Sequence, residues 1–351
     1  MSQKSAMADL EPLLKQVSRS FYLTLRVLPS EVRPQIGFAY LLARTADTLA
    51  DTDLIPAQDR LAALQKYRDR LMGQGSGVLD FRAMAGRQAS PAEASLLITA
   101  ESNLGRLDAF SIADQKLIRE VLATITSGQI LDLKRFGAAA PLPIRAGSSA
   151  IIALETGAEL DDYLYRVAGC VGEFWSRICR AHLFPRARLD DRQWIEDGIR
   201  FGKGLQLVNI LRDLPVDLKN GRCYLPIQRL DEAGLLPMTL LSPINEEAFH
   251  GVYHEYLDKA EGHLAAGWHY TLALPYGQFR VRLACAWPIL IGFQTTRKLR
   301  LSSVAEVVQR VKISRGQVWR MILGTLVAVP FPPLWRRLGS FSPAKSVANT
   351  G

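Results

Sequence analysis

The sequence predicts an all-α fold, and three features of it do so. Apolar residues recur at spacings of three and four along most of the chain, the period of a helix face. Alternating runs of Val, Ile and Thr, the mark of half-buried strands, are scarce. Stretches rich in Gly, Ser and Pro, such as Gly73 to Ala94, separate the periodic runs as connections do. With 48% hydrophobic residues among 351, the chain can bury one large core or two small ones. No shift in composition demands a boundary, and no repeat of solenoid period is present. The reading is one all-α domain over residues 1–318, followed by an apolar, Pro-containing segment over 319–351.

The elements follow in order. Residues 8 to 27 open on an acidic stretch and run into one helix, closed by the turn that Pro29 and Pro34 mark. Pro34 suits the first turn of a second helix, which reaches about Leu49. Asp53 to Pro56 is a loop, a helix follows near 57–72, and Gly73 to Ala94 is a long connection. Helices are expected near 92–104, 111–136, 159–183, 190–218, 246–272 and 279–298. Gly137 to Ser148 reads as a loop, and Asp231 to Asn245 as mixed turns. Pro215 is expected to bend or end the helix that contains it, and Asn220-Gly221 supplies turn chemistry just beyond.

The net charge of +9 suits nucleic acid, anionic lipid or a phosphorylated substrate. The basic residues are dispersed and not interleaved with aromatics, so no nucleic-acid partner is expected. Cys170, Cys179, Cys223 and Cys285 form no CxxC pair, which fits core thiols in a reducing compartment without a zinc site. His250 and His254 are four apart but lack an HExxH context, and packing or surface roles outweigh a metal pair. The N-terminus carries charges where a signal peptide would be apolar, so the expected location is cytoplasmic. Met321 to Leu334 is apolar throughout, yet shorter than the ~20 residues that span a bilayer, and three prolines interrupt it. Two readings fit it equally. Flanked by Arg315, Arg320, Arg336 and Arg337, it could lie in the interface of an anionic membrane; or it is a buried last helix with an extended tail.

The chemistry concentrates in two polar stripes. Tyr40, Arg44, Asp47 and Asp51 are spaced four, three and four, and therefore stack on one helix face. The rest of that helix is also apolar, so the stripe is expected to face an interior cavity. Buried carboxylates without partners are costly. Arg44 offsets one of them, and a divalent cation held with an anionic ligand would offset more. Gln206, Asn209, Asp213 and Asp217 form the second stripe, spaced three, four and four. These are hard oxygen donors, the set that suits Mg²⁺ shared with substrate phosphates. Either stripe alone is weak evidence; the pair points to a diphosphate held by Mg²⁺. Candidate phosphate grips are Ser18, Arg19, Ser20, Arg212 and Arg222, since a guanidinium binds phosphate bidentately. Between Tyr163 and Phe174, small residues leave room either for close helix packing or for an apolar chain.

Taken together, SRSF (18–21), YLLARTADTLAD (40–51), YRVAGCVG (165–172), GKGLQLVNILRDLPVD (202–217) and GRCYLP (221–226) resemble the squalene/phytoene synthase family. RVRLACAWPILIG (280–292) and VKISRGQ (311–317) are most similar to its squalene synthase branch. The resemblance implies an isoprenoid synthase helical bundle around a central cavity. It implies that Asp47, Asp51, Gln206, Asn209, Asp213 and Asp217 bind Mg²⁺, and that Ser18, Arg19, Ser20, Arg44, Arg212 and Arg222 contact diphosphate. Tyr40, Arg44, Tyr163 and Arg166 would take part in catalysis, and Lys312 and Arg315 resemble a stretch associated with NADPH. Two farnesyl diphosphates would be joined head to head, via presqualene diphosphate, to squalene. Arg166 stands where eukaryotic-type squalene synthases carry a tyrosine, and Ser314 replaces a basic residue of the NADPH stretch. A presqualene diphosphate, dehydrosqualene or phytoene product without reduction is therefore the alternative.

Overall fold

In a computed structural model of the chain, the described residues are 9–18, 21–52, 54–75, 77–137, 151–309 and 311–339. They are almost wholly helical. The first run of helices is α1 (Glu11–Ser18), α2 (Phe21–Val27), α3 (Arg33–Asp51), α4 (Ala57–Leu71), α5 (Arg82–Ala85), α6 (Pro91–Ile98), α7 (Ala100–Gly105) and α8 (Ile112–Phe136). Next come β1 (Ile152–Ala153), α9 (Gly157–Leu164), a π-helical turn at Tyr165–Gly169, and α10 (Cys170–Leu183). The chain continues through α11 (Asp191–Lys219), β2 (Arg222–Cys223), α12 (Ile227–Glu232), α13 (Glu246–Ala273), α14 (Phe279–Arg300), α15 (Val304–Val308), α16 (Arg315–Ala328) and α17 (Pro332–Leu338).

The chain divides into two compact units: Met1–Ala146 with Tyr165–Arg188, and Gly147–Leu164 with Leu189–Gly351. In the first, α3, α4 and α8 pack together around Leu41, Leu42, Leu49, Leu64, Ile118 and Leu122, all without solvent exposure. Tyr67 on α4 is fully buried, and its hydroxyl donates to the Leu42 carbonyl at 3.1 Å. Ser111 caps the start of α8 by accepting from the Asp114 amide. Gly128 lets α8 approach the π turn: a Cβ there would lie 2.9 Å from the Arg166 Cβ.

In the second unit, α11 and α13 pack along much of their length, with α14 against both. The Trp194 and Tyr270 rings stack at 4.5 Å, and the Trp194 indole donates to the Tyr270 carbonyl. Gly204 is one point of close approach, where a Cβ would meet the His263 Cβ at 2.9 Å. The two short strands pair in parallel, Ile152 opposite Arg222 and Ala153 opposite Cys223. All four cysteines are buried, and none is in a disulfide. Among the described residues, no helix is long and apolar enough to cross a membrane.

Four local expectations need correction. Residues 8 to 27 carry two helices, α1 and α2, and not one. The connection at 73–94 contains α5, and α6 begins inside it at Pro91, a residue suited to the first helical turn. The helix expected over 159–183 is interrupted by one π turn. Of the two outcomes expected for Pro215, ending the helix does not occur: α11 runs on to Lys219, in keeping with the helix expected near 190–218. A proline cannot donate to the carbonyl four residues back. That carbonyl belongs to Leu211, and the Tyr253 hydroxyl of α13 donates to it at 2.8 Å. The bond lost to proline is replaced from the neighbouring helix.

Candidate active site

The first stripe is built on α3. Its apolar positions are the packed ones: Phe38, Leu41, Leu42, Ala46 and Leu49 have no exposure. The polar face is the open one. Tyr40, Arg44 and Asp47 are half-buried, and Asp51, at the end of the helix, is exposed. Tyr40 is fixed at both ends, its ring stacked on Phe21 at 4.8 Å and its hydroxyl donating to the Val17 carbonyl at 3.2 Å.

Arg44 bridges two acids. It lies 2.5 Å from Glu93 on α6 and 3.8 Å from Asp47; desolvation weakens its hold on its proton, and the two acids together more than restore it. Asp47 also accepts from the Gln129 amide of α8 at 2.5 Å. Its carboxyl is pushed up to about 7, first by desolvation among packed neighbours and then by the Asp51 charge, against Arg44 and Gln129. The buried Oε1 of Gln129 has no protein partner.

Two other expected residues lie in this unit. Ser18 is buried and donates to the Leu14 carbonyl, as a helical serine does when its hydroxyl bonds back. Arg166, in the π turn, donates to the Ser127 hydroxyl of α8 at 2.9 Å. Arg19 and Ser20 lie outside the described residues.

The second stripe is built on α11. Gln206, Asn209, Asp213 and Asp217 share one half-buried face, while Leu207, Val208, Ile210, Leu211 and Leu214 are buried. Because Tyr253 preserves the helix through Pro215, Asp213 and Asp217 stay one turn apart. Arg212 grips Asp213 with two hydrogen bonds, at 2.7 and 3.0 Å. Tyr163 is buried, with its ring stacked on Tyr224 at 4.8 Å. Arg222 is half-buried on β2. Lys203 on α11 pairs with Asp161 at 2.8 Å.

Lys312 and Arg315 are both exposed. Ser314 between them closes a reciprocal capping box with Gln317 at the head of α16. The serine at that position therefore has a structural duty. His250 and His254 stack edge to face at 5.2 Å, and burial lowers the His254 proton affinity. Sequence reasoning missed Glu93 and Gln129. Glu93 falls within a stretch read as a connection, and Gln129 belongs to no charged pattern; only tertiary packing brings them to Arg44 and Asp47.

Residues 14–317 match the squalene/phytoene synthase family. The chain belongs to that family. It is 29% identical over 236 residues to a bifunctional lycopene cyclase/phytoene synthase of Phaeosphaeria nodorum, covering 66% of this chain and 36% of that protein. It is 30% identical over 216 residues to the presqualene diphosphate synthase of Sinorhizobium fredii, covering 62% and 61%. The chain thus spans little more than a third of the first of these curated relatives. Among solved structures, TcSQS bound to a ligand superposes with a TM-score of 0.72 at 21% identity, over 97% of this chain and 93% of that one. That likeness shows the isoprenoid synthase helical fold. Members of the family are prenyltransferases that act on prenyl diphosphates.

Proposed function

We propose that the chain condenses two farnesyl diphosphates head to head, via presqualene diphosphate, to squalene with release of diphosphate. One observation carries the reading: each of two helices presents a face of hard oxygen donors with an arginine beside it. Asp47 and Asp51 would hold Mg²⁺ on one, and Asp213, Asp217, Asn209 and Gln206 on the other. The donor chemistry fits, and the partnerless buried Oε1 of Gln129 beside Asp47 is an oxygen that a water of hydration would satisfy. Magnesium bound there would neutralise charge on the leaving diphosphate.

The chain's own groups have separate tasks. Gln129 and Arg44 hold the Asp47 carboxylate in place. Arg212 would turn from Asp213 to the incoming diphosphate, exchanging one bidentate partner for another. Ser18, Arg19, Ser20 and Arg222 would add phosphate contacts. Tyr40, one ring face of which is stacked on Phe21, would use its other face to stabilise the allylic cation left by ionisation. The double bond of the second substrate would attack that cation, and loss of a proton to the released diphosphate would close the cyclopropane of presqualene diphosphate. Tyr163 and Arg166 would each take part in the second ionisation. NADPH, held near Lys312 and Arg315, would supply hydride to complete squalene.

A second reading has its own observations. Arg166 is anchored to Ser127, and Ser314 is committed to capping, so the reductive half lacks two of the residues that squalene synthases use. The reaction would then stop at presqualene diphosphate or end without reduction. Incubation with farnesyl diphosphate and Mg²⁺, with and without NADPH, separates these outcomes by mass spectrometry. Squalene formed only with NADPH supports the first reading, and an unreduced product in both tubes selects the second. No diphosphate release in either tube overturns both.

A further inference from the structure

We propose that the outward face of α16 and α17 docks on an anionic lipid bilayer, lying in its interface without crossing it. The proposal stands on surface chemistry and does not depend on the reaction. Trp319, Leu323, Leu326 and Val327 recur at helical spacing along α16, and are 57%, 58%, 46% and 63% exposed. Phe331, at the Pro-rich turn, and Leu334 on α17 continue the row at 58% and 42%. Single exposed apolar residues are ordinary on a protein surface; a continuous row of six large ones is not.

This row is not a core face left open by poor packing. Ile322, Thr325 and Ala328 on the opposite face of α16 are buried, and the Trp287 indole donates to the Thr325 hydroxyl at 2.9 Å. Trp335 is buried and stacks on Trp268 at 5.5 Å. At the turn, the Tyr276 hydroxyl donates to the Pro330 carbonyl at 2.7 Å. The inner face is thus satisfied by the protein, and α16 is apolar on a second face for which the described residues provide no cover.

Charge selects the occupant. Residues 307–351 contain seven basic residues (Arg310, Lys312, Arg315, Arg320, Arg336, Arg337 and Lys345) and no Asp or Glu. Arg315, Arg320, Arg336 and Arg337 are exposed on the two helices that carry the apolar row. Each basic residue near an anionic leaflet adds attraction, whereas a second copy of this face would bring like charges together. Tryptophan and arginine are also the side chains that settle at the headgroup level. Depth is limited by length. The 14 residues of α16 extend only about 21 Å, less than the ~30 Å hydrocarbon core, and the prolines prevent continuation into α17. The helices therefore lie along the surface, as amphipathic interfacial helices do.

The test is co-sedimentation of the full chain with phosphatidylcholine vesicles, with and without phosphatidylglycerol. Binding is expected to the anionic vesicles, weakening as salt rises. A Leu323→Ser, Val327→Ser, Phe331→Ser variant should lose binding by at least about tenfold while keeping its far-ultraviolet circular dichroism. Arg320→Gln with Arg336→Gln and Arg337→Gln should remove the preference for anionic lipid. Brominated lipid should quench tryptophan fluorescence, and Trp319→Phe should remove most of that quenching. Absence of vesicle binding would overturn the proposal, as would equal binding by the serine variant. So would a salt-stable dimer that the serine substitutions disperse, because the face would then belong to a second copy.

Discussion

At the residue scale, the Asp47 environment shows what a motif conveys and what it leaves out. The spacing of Tyr40, Arg44, Asp47 and Asp51 follows from helical phase, so their common face is legible in the sequence. The residues that orient Asp47 and Arg44 are not, because Gln129 is 82 residues away from its partner and Glu93 is 49 residues away. Gln129 joins Asp47 by one amide hydrogen while its buried oxygen lacks a partner. Its replacement by leucine should leave the aspartate present but poorly aimed. Loss of such a supporting contact typically costs 10- to 100-fold in metal affinity or activity. Gln129→Leu should therefore raise the Mg²⁺ concentration needed for half-maximal diphosphate release by about that factor, with the value at saturating Mg²⁺ much less affected. Calorimetric titration of Mg²⁺ in the presence of a non-hydrolysable farnesyl diphosphate analogue reads the same loss without turnover. An unchanged Mg²⁺ requirement would mean that Gln129 only fills space. Asp47→Ala and Asp213→Ala, by contrast, should abolish turnover at every Mg²⁺ concentration while circular dichroism stays the same.

At the element scale, the helices themselves were readable because packing agrees with pattern. The stretches expected at 111–136 and 246–272 appear as Ile112–Phe136 and Glu246–Ala273. The departures occur where a distant residue changes the local rule. Pro215 reads as a helix breaker until the Tyr253 hydroxyl takes the orphaned Leu211 carbonyl. That account makes a two-part prediction. Tyr253→Phe should destabilise the protein by about 1–2 kcal/mol, the cost of leaving a buried carbonyl unsatisfied. In a Pro215→Ala background, where residue 215 can donate for itself, the same substitution should cost clearly less. Denaturant melts of the four proteins in this cycle give the difference directly; equal costs in both backgrounds would reject the link between proline and tyrosine. The π turn had no sequence signal of its own, but Gly128 opposite it is a constraint of the same kind. Gly128→Ala would press a methyl group onto Arg166 and should cost about 1–3 kcal/mol.

At the scale of the whole molecule, composition indicated the all-α class but not how the chain partitions. One unit is interrupted by residues 147–164, which join the later part of the chain, and no composition shift marks either crossing. The apolar C-terminal stretch could not be assigned an inner and an outer face from sequence, because α16 is apolar on both; burial of Ile322 and exposure of Leu323 make the distinction. The same view from the whole molecule bears on the role of metal. Arg44 already stands beside Asp47, and Arg212 is bonded to Asp213, so each stripe carries a counter-charge of its own in the folded chain. The cores of both units are apolar and packed by side chains alone. Chelation should consequently stop diphosphate release while leaving the melting temperature within about a degree of its starting value, unlike a protein whose metal contributes to folding. Adding Mg²⁺ with a non-hydrolysable farnesyl diphosphate analogue should then raise the midpoint, since a ligand that binds only the folded state at about 100 times its Kd adds about 2.7 kcal/mol. Mg²⁺ alone should raise it far less, because two carboxylates and water hold this ion weakly until substrate phosphates complete the shell. Differential scanning calorimetry of the chelated, Mg²⁺-loaded and doubly loaded protein measures all three states. A fall of several degrees on chelation would make the cation structural and would separate these aspartates from a site assembled by its substrate.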